Sequence, residues 1–156
     1  MSVYNFSSKQ FLQTDIKTAW DFFSSPQNLS KITPPDLGFV ILSPKNVGDM
    51  TEGMKIDYTV KPMFGITVHW RTLITDVVKH RYFTDKQLKG PYSIWEHTHT
   101  FNEQDGGILM TDNIRYKLPF GWLGIATHRL FVRKRIEEIF SYRTVVLDNL
   151  FNTKHE

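Results

Sequence analysis

Three observations predict an α+β fold in which a curved antiparallel sheet wraps around a long C-terminal helix. From Gly38 to Leu118 the chain runs in stretches of β-branched and aromatic residues cut by short turns, the mark of successive strands. Beyond Pro119 and Gly121 the apolar period changes to that of a helix and holds for the rest of the chain. Only the sheet offers that helix an apolar surface of matching size.

Each element follows from local chemistry. Residues from about Val3 to Gln13 read as an opening strand, rich in aromatics but poorly alternating. Thr14 or Asp15 can cap a helix that carries Ile16, Ala19, Trp20 and Phe23 on one face and ends at Pro26. Such a stripe is usually core, and Trp20 and Phe23 are assigned there. Asn28 can cap a second short helix, Leu29 to Ile32, stopped by Pro34-Pro35. Strands are predicted at Phe39–Ser43, Met54–Val60, Thr67–Val78, Arg81–Leu88, Ile94–Asn102 and Ile108–Leu118. Their short connections make neighbours antiparallel. On the final helix Ile125, Val132, Ile136, Ile139, Phe140, Val146, Leu147 and Leu150 form one stripe, with Lys134, Glu137, Glu138, Ser141 and Asp148 opposite.

Composition narrows the function. The 156 residues suit one domain spanning 1–156, with a core large enough to enclose a cavity, and 14% of them are aromatic. A net charge of +3 without a concentrated basic stripe speaks against a nucleic-acid partner. The lack of cysteine excludes disulfides, thiolate metal sites and cysteine nucleophiles, and fits the cytosol. No apolar run follows a basic head, and none is long enough to span a bilayer, so a soluble cytoplasmic protein without stable membrane insertion is expected.

The stretch Phe83–Phe101, FTDKQLKGPYSIWEHTHTF, carries the chemistry. If Asp105-Gly106 form a two-residue turn, Phe101 faces Met110, His99 faces Asp112, His97 faces Ile114 and Trp95 faces Tyr116. A loop around Gly90-Pro91 that pairs Leu88 with Ile94 sets Lys86 opposite Glu96 and Asp85 opposite His97. One face then carries a Lys86–Glu96–Arg115 ladder suited to solvent. The other mixes Trp95, Phe101, Met110, Ile114 and Tyr116 with Asp85, Gln87, His97, His99 and Asp112, the composition of a pocket wall. Arg143 falls inside the apolar stripe of the last helix, and a buried guanidinium needs an acid or a ligand. Asp85 and Asp112 are the acids on that face.

WDFFSSPQNLSKITPPDLGF, FTDKQLKGPYSIWEHTHTF, YKLPFGWLG and IFSYR together resemble the small bacterial ligand-binding SRPBCC domain proteins of the START-like superfamily, which also holds polyketide cyclases. The resemblance covers essentially the whole chain. It implies a helix-grip fold enclosing an elongated cavity for an apolar molecule. It brings no assigned substrate or catalytic residues.

The first functional reading is therefore binding of an apolar or amphipathic small molecule (lipid-like, polyketide-like or aromatic) by Trp70, Asp85, Gln87, Trp95, His97, His99, Phe101, Asp112, Tyr116 and Arg143. The alternative is an acid–base enzyme of the cyclase, dehydratase or isomerase type, with His97, His99 and Asp112 as candidate catalytic groups. His-x-His beside a carboxylate has metal-ligand character, but Arg143 opposes a divalent ion, and no metal or cofactor is expected. The cluster can also be read as an internal network that only fixes the fold.

Overall fold

The computed structural model describes residues 2–44, 48–121 and 126–153, with the backbone alone at 128 and 129. Seven strands, β1 (Tyr4–Leu12), β2 (Val40–Ile41), β3 (Lys55–Val60), β4 (Val68–Val78), β5 (Tyr82–Lys89), β6 (Ile94–Gln104) and β7 (Gly107–Lys117), form one antiparallel sheet. The spatial order is β1-β7-β6-β5-β4-β3-β2. β2 to β7 are a meander, and β1 returns to pair with β7, Ser8 opposite Asp112.

Two helices cover the concave side: α1 (Ile16–Phe23) and α2 (Arg133–Leu147). Asp15 caps α1, its Oδ1 accepting from the Thr18 N–H at 2.9 Å, which satisfies one of the free donors of the first turn. Ala19, Trp20 and Phe23 are its buried face. The Trp20 ring meets Phe83 and Phe101 edge-on, at 5.8 and 5.7 Å between centroids, and this packing closes one end of the interior. On α2 the buried residues are Ile136, Phe140, Arg143 and Leu147, spaced by three and four along one face.

The hairpin that matters most obeys its turn chemistry. Asp105 and Gly106 take φ of 49° and 77° and connect the paired residues Gln104 and Gly107. That conformation matches the right-handed twist of the strands and holds a two-residue turn. The pairs Phe101–Met110, His99–Asp112, His97–Ile114, Trp95–Tyr116 and Glu96–Arg115 all form, as do Asp85–His97 and Lys86–Glu96.

Several expectations need correction. β1 alternates cleanly between half-buried and exposed residues, because only one of its faces meets the helices. The second short helix is a 3-10 segment over Pro26–Ile32; Asn28 lies inside it, donating to the Phe22 carbonyl at 3.0 Å. The strand expected at Phe39–Ser43 shrinks to Val40–Ile41. The β5–β6 ladder stops at Lys86–Glu96 and does not reach Leu88 and Ile94. Leu150 is 47% exposed, since α2 gives way at Asp148–Asn152 to a wider π-type turn that breaks the 100° period. Ile125 lies outside the described residues.

Candidate functional site

Alternation along three strands and one helical position assemble the site. Asp85 of β5, His97 and His99 of β6 and Asp112 of β7 all point to the concave face, because their registers place them there together. Arg143 of α2 comes down onto them between Phe23 and Phe140, its guanidinium carbon 5.4 Å from each ring centroid.

Asp112 is the hub. Its Oδ1 lies 2.7 Å from His97 Nε2, 3.1 Å from His99 Nδ1 and 3.3 Å from Arg143 Nη2. Asp85 Oδ2 sits 3.0 Å from His99 Nε2 and 3.9 Å from His97 Nδ1. The two imidazoles stack at 3.7 Å between centroids, and Phe83 stacks on the far side of His99 at 4.3 Å.

These contacts separate the two histidines chemically. Burial and the neighbouring His99 depress the His97 pKa, outweighing its bond to Asp112. His97 is thus the neutral member, donating Nε2–H to Asp112 and leaving Nδ1 as an acceptor. Burial opposes charge on His99 as well, but Asp112 and Asp85 more than offset it and raise its pKa. Burial likewise works against the Asp112 carboxylate, yet Arg143 and the two histidines hold its pKa well below the ordinary range. With His99 protonated, two carboxylates face one imidazolium and one guanidinium, so the buried group is electrically balanced.

Beside this group lies a cavity of about 210 Å³, lined by the inner faces of β3 to β6, α2, the end of α1 and the 3-10 segment. Trp70, Asp85, Trp95, His97, His99 and Arg143 line it, as do Tyr58, Tyr92, Phe83, Ile136 and Phe140. Four residues of the sequence-derived set stand elsewhere. Gln87 turns aside to lock the β5–β6 loop: its Nε2 donates to the Tyr92 carbonyl at 2.6 Å, and its Oε1 accepts the Tyr92 N–H at 3.2 Å. Phe101 is packed against Trp20, Phe23 and Phe83. Tyr116 is buried with Ile114, Val132, Ile136 and Phe140. Asp112 is enclosed by the groups it binds.

Tyr58 and Tyr92 were not anticipated. Burial raises both phenols above their ordinary range, so they remain neutral walls. The alternation Ile56, Tyr58, Val60, opposite Trp70, was the signal available for Tyr58. Tyr92 sits in a loop, where no periodicity points inward. Asp85, His97 and His99 also offer three ligand atoms within 4.8 Å of one another, the donor types of a transition-metal site. In this structure Asp85 Oδ2 is bonded to His99 Nε2, and Asp112 Oδ1 to His97 Nε2.

No protein-family model matches the chain, and no curated protein matches it in sequence. Solved structures match over nearly its whole length. One is the di-domain ARO/CYC BexL from the BE-7585A biosynthetic pathway, with a TM-score of 0.72 and 13% identity over 97% of this chain, which spans 51% of BexL. The protein CV1439 from Chromobacterium violaceum has a TM-score of 0.70 and 13% identity over 96% of this chain and 98% of its own. Major latex-like protein 151 from Panax ginseng has a TM-score of 0.68 and 11% identity over 97% and 99%. At these identities the likeness is one of fold. This chain has the helix-grip fold.

Proposed function

We propose that this chain is a single ligand-binding domain that takes up an apolar or amphipathic small molecule between the sheet and α2. The observation that carries this is a largely apolar cavity of about 210 Å³ with Asp85, His97, His99 and Arg143 on its wall. Apolar walls supply the affinity and a few convergent polar groups the orientation. A dry cavity of roughly 150 Å³ takes benzene, so this one has room for one or two rings or a short chain. Polyketide-like, lipid-like and aromatic molecules all suit it. Among the described residues no helix is long and apolar enough to cross a membrane. The cysteine-free composition supports a cytosolic setting.

Native mass spectrometry of protein purified under mild conditions tests the proposal. An adduct that organic extraction removes is the expected result. A chain that carries nothing and takes up no fluorescent lipid overturns it.

A second reading draws on the stacked histidines. A neutral imidazole with a free Nδ1 lies against an imidazolium, both on the cavity wall, and such a pair can remove a proton from a ligand and deliver one. In D₂O the protein would then wash deuterium into a bound ligand at a carbon next to a carbonyl, and His97→Ala would abolish this. No incorporation by the wild-type protein excludes the reading.

A further inference from the structure

Six buried side-chain atoms among the described residues lack a hydrogen-bond partner, and all six are nitrogens. His99 Nδ1 is one of them by alignment alone, since it stands 3.1 Å from Asp112 Oδ1; three others, Trp70 Nε1, Arg143 Nε and Arg143 Nη2, belong to residues that line the cavity. Trp70 and Arg143 are each 6% exposed, so water does not stand in freely for the missing partner. Asp112 Oδ1 holds His97 and Asp85 Oδ2 holds His99, and among the described residues no buried side-chain oxygen is without a partner. What the cavity lacks is therefore acceptor oxygen. A buried donor left unmatched is costly, and a ligand that brings the acceptor removes that cost.

The positions of these donors describe the ligand further. Nε and Nη2 form one edge of the Arg143 guanidinium, with two nearly parallel N–H bonds. Nη2 is 3.3 Å from Asp112 Oδ1 but out of hydrogen-bond alignment with it. A planar group with two oxygens matches such an edge in a way that a single carbonyl or hydroxyl cannot. Trp70 lies at another level of the sheet. Ile74 pairs with Asp85, and Trp70 stands four residues along β4 from Ile74, a separation of about 13 Å at strand rise. Its indole ring packs against Tyr58, Tyr92 and Trp95, with ring centroids 5.3–5.8 Å away.

We propose that the ligand is an elongated apolar acid, with its carboxylate seated on the Nε–Nη2 edge of Arg143, a single acceptor oxygen at its other end facing the Trp70 indole N–H, and a proton taken up by the neutral His97 so that the buried group stays electrically balanced. This rests on the ligand-binding reading above and adds to it the chemical class of the ligand and its direction in the cavity.

Calorimetric titration with three probes tests it: 6-methoxy-2-naphthylacetic acid, the matching alcohol 2-(6-methoxy-2-naphthyl)ethanol, and 2-naphthylacetic acid. The alcohol is expected to bind roughly ten- to a hundredfold more weakly than the methoxy acid, the loss typical of charged hydrogen bonds. Arg143→Met should erase that difference. Because this variant leaves the Asp112 charge uncompensated, the double variant Arg143→Met with Asp112→Asn gives the same readout on a neutral background. Trp70→Phe should weaken the methoxy acid about two- to tenfold and leave 2-naphthylacetic acid unchanged. In the wild-type protein the ¹⁵N–¹H signals of Arg143 Nε and the Trp70 indole should both shift downfield with the methoxy acid. Equal affinity for acid and alcohol overturns the inference while ligand binding stands. If none of the three binds, the inference falls, and the ligand-binding reading falls with it when fluorescent lipids are refused as well.

Discussion

On the outer face of β5, β6 and β7, Lys86, Glu96 and Arg115 stand in a row, with ion-pair distances of 3.5 and 3.8 Å and a third to a half of each side chain exposed. On the inner face of the same strands, one or three residues along, Asp85, His97, His99 and Asp112 meet Arg143 of α2 in a buried group with contacts from 2.7 to 3.3 Å. The same strands therefore carry two charge networks separated by the thickness of a sheet. Water screens the outer one, so its members act almost independently. Inside, each charge depends on its neighbours, because none can be solvated alone.

The largest test of that contrast is Asp112→Ala. It leaves Arg143 and His99 without their shared counter-charge, and unfolding in urea should report a loss of about 3–5 kcal/mol. Asp112→Asn combined with Arg143→Met should lose less than the sum of the two single changes, the mark of direct coupling. If the losses simply add, the inner group is not a unit.

Acidity offers the second test. His99, with its pKa raised in the fold, contributes stability that is complete below the unfolded value near 6.5 and is lost as pH climbs through the folded value. His97, with its pKa lowered, remains neutral in the fold while the unfolded chain protonates, so stability is lost as pH falls below about 6.5. The two contributions oppose each other and place their combined maximum near that pH. Asp112 adds a further loss only in strong acid, as pH falls through its depressed value. Titration by NMR should find His99 deprotonating above 6.5 and His97 below it; the reverse order would contradict the hydrogen-bond assignment.

Smaller effects follow outside the buried group. Gln87→Ala removes both bonds to Tyr92 and should cost about 1–2 kcal/mol, with Tyr92 amide exchange accelerated. Glu96→Gln on the outer face should cost less than about 1 kcal/mol, and added salt should shrink it further.

The inner group was legible in the sequence because a single turn propagates a register. Once Asp105-Gly106 are read as a two-residue turn, period two places His99 opposite Asp112 and Trp95 opposite Tyr116 without further information. The Arg143 stripe was legible for the same reason with a period of 3.6. Gln87 shows where periodicity stops. Its strand position faces inward, but the shift of the β4–β5 ladder at Arg71/Thr72 and the nearby Tyr92 backbone claim its amide. Phe101 and Tyr116 show a second limit: alternation assigns a face but does not divide packed core from open cavity. That division depends on α1 and α2, which fill the ends near Phe101 and Tyr116 and leave space beside Trp70 and His97.

The turn at Asp105-Gly106 also bears on what this protein can become. One extra residue there, accommodated by slipping β7 against β6, would carry Arg115 and Asn113 inward and Asp112 out to solvent, and would take the buried pair with Arg143 apart. Length, more than identity, is the inherited quantity at that bend. Variants can exchange its residues for others that tolerate positive φ, but an insertion between β6 and β7 would erase the site while leaving every site residue in the chain.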